Sequence, residues 1–258
     1  MDFASRVESV HPAQREAAVF WLGQAGFLIK THGGRLTAID PYFSDCVMRL
    51  IPEAGLGFKR LTPPPCAADA IAFDALLISH EHNDHFDVDA IEAMLRNGRT
   101  CVYCPQQVAD QMRIMGLDMS RVHVLAKGAS VDLGDITLTA VDCDHGTLAP
   151  GALGFLMDLG FTHIYYAGDT ALSPDRLAAP LSVRPEVAIL PINGAFGNLN
   201  GLDAAEYAGM LGAKRVIPCH FWTFPLHHGD PQEFIEALPE KAPGCVMTLL
   251  CQGEHTMV

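Results

Sequence analysis

Residues 79–85 of the chain read Ser-His-Glu-His-Asn-Asp-His and directly follow the apolar run Ala-Leu-Leu-Ile at 75–78. A short apolar run is typical of a buried strand, so the polar cluster lies where a strand opens into a loop. Because side chains alternate along an extended segment, His80 and His82 point to the same side. Imidazole and carboxylate groups, here including Asp84 and His85, are ligands that zinc and similar divalent metals prefer. The heptapeptide therefore predicts a metal site.

Four other segments show the same order of a strand-like run, a turn and a residue that can bind metal. Each of these residues alone is more often structural than functional. Strand ends are, however, where sheet proteins with helices on their faces commonly build sites, and the five cases occur in one chain. We therefore expect one site that includes the residues after the runs at 36–39, 136–140, 164–167 and 216–219, which are Asp40, His145, Asp169 and His220.

The motif H-x-H-x-D-H, followed by a spaced His, Asp and His, resembles that of the metallo-β-lactamase superfamily over about residues 18–250. Further strings resemble the branch that contains L-ascorbate-6-phosphate lactonase. They are WLGQAGF at 21–27, DPYFSD at 40–45, PINGAFGNLN at 191–200 and IPCHFWTF at 217–224. The patterns W-L-G and D-P-x-F-S also occur in phospholipase D-type N-acylethanolamine phospholipid hydrolases, so that branch stays open as an alternative.

The resemblance implies an α/β fold, the four-layer αββα sandwich, with metals at its edge. It also implies seven ligands for one or two divalent ions, zinc or manganese. Those of the first metal are His80, His82 and His145, those of the second are Asp84, His85 and His220, and Asp169 bridges the two.

The same resemblance implies roles for four carboxylate and imidazole groups. Asp40 would orient a ligand histidine by accepting the hydrogen of its other ring nitrogen. A water or hydroxide between the metals would be the nucleophile, because the cations lower its pKa. Asp84, Asp169 and His220 are then the expected catalytic residues. A serine or cysteine nucleophile is not needed, and the chain contains no G-x-S-x-G motif.

The periodicity of apolar residues supports this architecture. Strand-like hairpins open each half of the chain, and helices are predicted at 87–97, 105–115, 203–212 and 231–238, with Asp203 and Asp230 as N-caps. Because the expected ligands span most of the sequence and no linker interrupts it, residues 1–258 are predicted to form a single domain. Residues 1–16 are polar and mixed, which indicates a loose N-terminal arm.

Composition and spacing exclude several functions. The formal net charge of −13 disfavours a nucleic-acid partner, because a polyanion would be repelled. Only 50 residues separate Asp169 from His220, too few for the large inserted domain of nucleic-acid-cleaving members. His82 stands where the di-iron flavoprotein branch has a carboxylate. The absence of a long apolar run argues against a membrane segment, and eight cysteines without a secretory leader indicate a cytoplasmic protein.

Two groups of side chains are predicted to contact a small-molecule substrate. Arg49, Lys59 and Arg60 form a local excess of positive charge in the long connection 45–68, where a substrate phosphate could be bound. A second loop is punctuated by glycine, and its amides suit sugar hydroxyls or a phosphate; the amides are those of Asn193, Asn198 and Asn200.

Three functions follow as hypotheses from these observations. The first is a hydrolase that opens a lactone or related ester of a phosphorylated sugar acid. The second is a phosphodiesterase that acts on a small phosphodiester or a phospholipid head group. The third is a metal-binding protein without turnover. Whether several copies of the chain form a homo-oligomer stays open.

Replacing His80 and His82 together with alanine is expected to empty at least the first metal position and abolish hydrolysis. The fold should survive, because 49% hydrophobic residues provide a large core that does not depend on the metal. Metal content by mass spectrometry and circular dichroism of the double variant check this. Retained activity without bound metal would contradict the whole interpretation.

Overall fold

The computed structural model describes residues 1–258. The chain divides into two units, one formed by Met1–Ala126 with Leu250–Val258 and the other by Lys127–Leu249. Each unit contains one seven-stranded sheet together with several helices, which agrees with the predicted α/β class. No helix is long and apolar enough to cross a membrane.

The first unit contains seven strands and four α-helices. The strands are β1 (Ala17–Gly23), β2 (Gly26–Thr31), β3 (Leu36–Ile39), β4 (Ala75–Leu77), β5 (Cys101–Cys104), β6 (Val122–Val124) and β14 (His255–Met257), and the helices are α1 (Phe3–Ser9), α2 (Cys46–Leu50), α3 (Ile91–Leu95) and α4 (Gln106–Ile114). The strand order is β14-β1-β2-β3-β4-β5-β6. Neighbours from β14 to β3 are antiparallel, and neighbours from β3 to β6 are parallel.

The second unit contains seven strands and three α-helices. The strands are β7 (Ser130–Asp132), β8 (Thr137–Asp142), β9 (Leu153–Asp158), β10 (His163–Tyr166), β11 (Val187–Pro191), β12 (Arg215–Cys219) and β13 (Val246–Met247), and the helices are α5 (Ala178–Val183), α6 (Gly201–Leu211) and α7 (Pro231–Lys241). The strand order is β13-β12-β11-β10-β9-β8-β7. Here too three antiparallel pairs, from β7 to β10, are followed by three parallel pairs.

The central strands of both sheets are buried on both faces. Every residue of β1, β2 and β11 is buried, which explains why β1 and β11 read as continuous apolar runs rather than alternating ones. Because both faces are buried, polar side chains that bind a ligand or a metal can lie only at the strand ends and in the loops that follow them. In each sheet the carboxyl ends of the parallel strands lie at one edge.

The expected site residues follow these strand ends within each unit. Asp40 follows β3 and His80 follows β4 in the first unit. In the second unit Asp169, Asn193 and His220 follow β10, β11 and β12, which are consecutive parallel neighbours. The topology therefore gathers polar residues that are distant in sequence at one edge of each sheet.

The N-terminal segment differs from the loose arm predicted for residues 1–16. Residues Phe3–Ser9 form α1, whose Phe3 and Val7 are buried. The Asp2 side chain caps the helix by accepting a hydrogen bond from the Ser5 N–H at 2.8 Å. At the other end, Nζ of Lys30 donates to the Val7 carbonyl at 2.7 Å. Two buried apolar side chains one helical turn apart and the hydrogen bond from Lys30 therefore dock the segment on the first unit.

The predicted helix caps are correct for one helix and wrong for another. Asp230 caps α7 by accepting from the Gln232 N–H at 2.8 Å, as expected. The cap of α6 is Asn200 rather than Asp203, because the side-chain Oδ1 of Asn200 accepts from the Asp203 N–H at 2.8 Å. Asp203 instead lies in the first turn, where its negative charge interacts favourably with the positive end of the helix dipole.

Candidate metal centre

The predicted histidine cluster forms a tight turn after β4. The N–H groups of His85 and Phe86 both donate to the His82 carbonyl, at 2.9 and 2.7 Å, which folds the chain back on itself. The ring of His80 consequently lies 4.5 Å from that of His82 and 4.1 Å from that of His85, measured between centroids. His80 and His85 are fully buried and His82 is half-buried. The turn thus brings three imidazoles together in the first unit.

Asp40 anchors this turn to the sheet. Its carboxylate is fully buried and accepts from the Ser79 N–H at 2.7 Å, and its other oxygen lies 2.7 Å from Nδ1 of His85. When this carboxylate accepts a hydrogen bond from Nδ1–H of His85, the lone pair on Nε2 of the same ring is available to a metal. Nε2 of His85 lies 3.7 Å from an Asp84 oxygen, so both groups face the same point.

Gln24 is a site residue that the sequence did not single out. Its amide nitrogen donates to Oδ2 of Asp84 at 2.8 Å, and its side chain is fully buried. The turn that carries it is held by Trp21, whose indole N–H donates to the Gln24 carbonyl at 3.0 Å. An amide is not a typical metal ligand, so a search of the sequence for metal-binding residue types does not identify Gln24. The only sequence signal was the string at 21–27.

In the second unit Asp169 lies between two buried histidines. One oxygen of its carboxylate is 3.2 Å from Nε2 of His220, and the other is 3.8 Å from Nε2 of His145. All three side chains are buried. One carboxylate that offers a different oxygen to each of two imidazoles is the donor arrangement expected of a group between two metal positions.

Cys143 contacts the backbone of Asp169 and is not among the proposed metal ligands. Its thiol donates to the Asp169 carbonyl at 2.9 Å. Burial raises the pKa of the Cys143 thiol well above its ordinary value, so the group stays protonated. Cys219, beside His220, is likewise buried. Both cysteines therefore pack in the interior beside the proposed ligands.

His227 is a second residue that sequence reasoning missed. Its ring stacks on that of His220 with centroids 4.6 Å apart and an interplanar angle of 22°, and it is buried. Pro225 and Gly229 flank the pair His227 and His228, a composition typical of a solvated loop. His228 is exposed, as such a loop would be, whereas the His227 ring also packs near the rings of Phe224 at 4.9 Å and Phe196 at 5.5 Å.

Each of the three predicted phosphate-binding cations has a partner within the first unit. Arg49 forms a salt bridge with Asp89, and Lys59 forms one with Asp45. Arg60 is buried and donates to the Tyr42 carbonyl at 2.7 Å, and burial lowers the pKa of its guanidinium.

The three asparagines after β11 have different environments. Asn200 is exposed and caps α6. Asn193 and Asn198 are buried, and neither amide atom of Asn198 has a hydrogen-bond partner in the protein. The side-chain oxygen of Asn193 also lacks one. A buried amide without partners costs about 1–3 kcal/mol, so these two groups favour a polar ligand.

Comparison with known proteins identifies the family. Residues 18–220 match the family model described as a beta-lactamase superfamily domain, and the chain belongs to this superfamily. It is 32% identical over 248 residues to a UPF0173 metal-dependent hydrolase of Polaromonas sp., which covers 88% of this chain and 85% of that protein.

Solved structures show the same fold. Igni18, a metallo hydrolase from the archaeon Ignicoccus hospitalis, has a TM-score of 0.74 at 21% identity and covers 94% of this chain and 98% of its own. An isothiocyanate hydrolase from Delia radicum gut bacteria has a TM-score of 0.72 at 20% identity and covers 93% and 98%. These likenesses confirm the predicted α/β fold of the metallo-β-lactamase type.

Replacing Asp40 with asparagine is expected to weaken metal binding by about 10- to 100-fold, because an amide orients the His85 ring less well than a carboxylate. The fold should persist, since asparagine keeps the size of the side chain. Titration of the metal-free variant with zinc measures the affinity. Asp89→Asn, which removes a carboxylate from a surface ion pair, is the control and should bind zinc normally.

Proposed function

We propose that the protein is a metal-dependent hydrolase that opens a lactone or related ester of a phosphorylated sugar acid. The observation that carries the proposal is the Asp169 carboxylate, which offers one oxygen to His220 and the other to His145. We assign the first metal to His80, His82 and His145, the second to Asp84, His85 and His220, and the bridging position to Asp169.

The donor set fits a divalent ion of the zinc or manganese type. Five imidazoles and two carboxylates supply nitrogen and oxygen ligands, and no thiolate is among them. One ring nitrogen of His80 lies within 4.8 Å of a ring nitrogen of His82, and one lies equally close to a ring nitrogen of His85. Ligands that are buried and already gathered lose little conformational entropy when they bind an ion.

A bound divalent ion supplies Lewis acidity and lowers the pKa of the water that it binds. The protein orients the ligands around that chemistry: Asp40 holds the ring of His85, and Gln24 holds the carboxylate of Asp84. Hydrolysis also needs a group that takes up a proton and returns it to the leaving oxygen. The carboxylates of Asp84 and Asp169 are the groups of that kind in the set.

Two features support a polar, phosphorylated substrate. The buried amides of Asn193 and Asn198 offer donors and acceptors of the kind that sugar hydroxyls need. Arg49 and Lys59 lie at the surface in ion pairs, and such pairs contribute only about 0–1 kcal/mol. Little binding free energy would therefore be lost if Arg49 or Lys59 left its aspartate partner and bound a substrate phosphate instead.

Hydrolysis of a phosphorylated sugar lactone, assayed with zinc and with manganese, tests the reaction. Wild type should prefer the phosphorylated lactone to its unphosphorylated analogue. Lys59→Ala and Arg49→Ala should raise the KM for the phosphorylated lactone about 10- to 100-fold, because a charge-assisted bond of about 1.5–3 kcal/mol is lost. The KM for the analogue should change little.

The control for this experiment is Arg113→Ala, which removes an exposed cation of α4. Equal losses for both lactones would indicate a damaged loop rather than a lost phosphate contact. Turnover of phosphodiesters in place of lactones would assign the protein to the phosphodiesterase alternative. Bound metal without turnover of either class would favour a metal-binding protein.

Replacing Asp169 with asparagine should weaken both metals at once, because a bridging carboxylate neutralises two cations and an amide carries no charge. The number of metal ions per chain, counted by mass spectrometry, should fall at both positions. If Asp169 is only a turn residue after Gly168, metal content will stay normal and the melting temperature will fall slightly.

A further inference from the structure

Trp222 is a large aromatic side chain exposed beside the second half of the proposed centre. It lies two residues after His220, and 59% of its surface is accessible. The other tryptophan of the chain, Trp21, is buried. Exposed tryptophans are uncommon away from binding surfaces, because their apolar area gains most from being covered.

The backbone holds Trp222 in a conformation that a bulky residue rarely adopts. Its φ is 55°, in the left-handed region. Two hydrogen bonds keep it there: its backbone N–H donates to the His227 carbonyl at 3.1 Å, and its indole N–H donates to the Gly229 carbonyl at 3.0 Å. The indole also packs edge-on against Phe221, with centroids 5.2 Å apart. The exposed ring is thus fixed in orientation.

Phe196 resembles Trp222 in these respects. It is 47% exposed, its φ is also 55°, and its ring lies 5.5 Å from that of His227. His227 in turn stacks on His220. Both exposed aromatics therefore contact the residue that packs on a proposed metal ligand, one through its ring and the other through its backbone.

We propose that Trp222 is a specificity-determining residue that stacks on a ring of the substrate, with Phe196 as a second apolar contact. The ligand class is a molecule whose ring presents an apolar face, such as the C–H face of a sugar or lactone ring. This inference rests on the proposed function, because it assumes that the reacting group binds next to His220. A ring already held in place loses little conformational freedom when the substrate binds.

The test compares two hydroxamates that chelate metal through the same group, acetohydroxamate without a ring and benzohydroxamate with one. Calorimetry on the zinc-loaded protein should show about tenfold tighter binding of benzohydroxamate. Trp222→Ala should abolish that difference and leave acetohydroxamate binding unchanged, and Trp222→Phe should keep most of it. Ile114→Ala, which removes an exposed apolar side chain of α4, is the control and should behave as wild type.

Fluorescence gives an independent measurement. The chain has two tryptophans, so the difference between the emission of wild type and that of Trp222→Phe is the signal of Trp222. Benzohydroxamate should change its emission with the affinity measured by calorimetry, and acetohydroxamate should not. Emission that instead changes with protein concentration in the absence of ligand would show that a second copy covers Trp222, which would overturn the proposal.

The remaining outcomes separate this inference from the proposed function. If Trp222→Ala loses affinity for both hydroxamates equally, or keeps the preference for the compound with the ring, the inference alone would be overturned. A ring preference that depends on Trp222 in a protein that hydrolyses no lactone or ester would support the inference and refute the proposed reaction. Failure of the zinc-loaded wild type to bind either compound would overturn both.

Discussion

The buried carboxylate of Asp40 is the interaction on which the histidine cluster of the first unit depends. A charge without solvent must be offset by partners, and Asp40 finds them in the Ser79 N–H and the ring of His85. Both partners lie on the segment after β4, the parallel neighbour of β3. Because the carboxyl ends of parallel neighbours meet at one edge, two distant segments can share one carboxylate. The orientation of the histidine cluster is therefore set by the core of the sheet and not by the loop alone.

The second unit uses the same topological position for a different purpose. Asp40 follows β3 and Asp169 follows β10, and each of these strands has an antiparallel neighbour on one side and a parallel neighbour on the other. In the first unit this position orients an imidazole through Nδ1. In the second, the carboxylate faces the Nε2 atoms of His145 and His220, which we propose are ligands.

Sequence predicts what local chemistry determines and misses what distant partners determine. The buried strands were predictable because burial on both faces requires apolar runs, and the heptapeptide was predictable because its ligands are adjacent. The strands β7 and β14 were not predicted, because they are short and defined by pairing with β8 and β1. The partner of Arg49, Asp89, lies 40 residues away. The burial of His227 depends on Phe224 and His220, whose packing no local pattern reveals.

The left-handed residues of the chain set a limit on how far its stability can be improved. Seven non-glycine residues have positive φ, and five of them belong to the segments discussed above: Gln24, Asp40, Phe196, His220 and Trp222. Strained backbone of this kind costs about 1–3 kcal/mol per residue. Glycine would relieve the strain at each position and remove the side chain that the site uses. At the exposed Phe196 and Trp222, where glycine would leave no cavity, a directed-evolution campaign scored on heat resistance alone would favour glycine and select more stable proteins that lack the proposed substrate contacts.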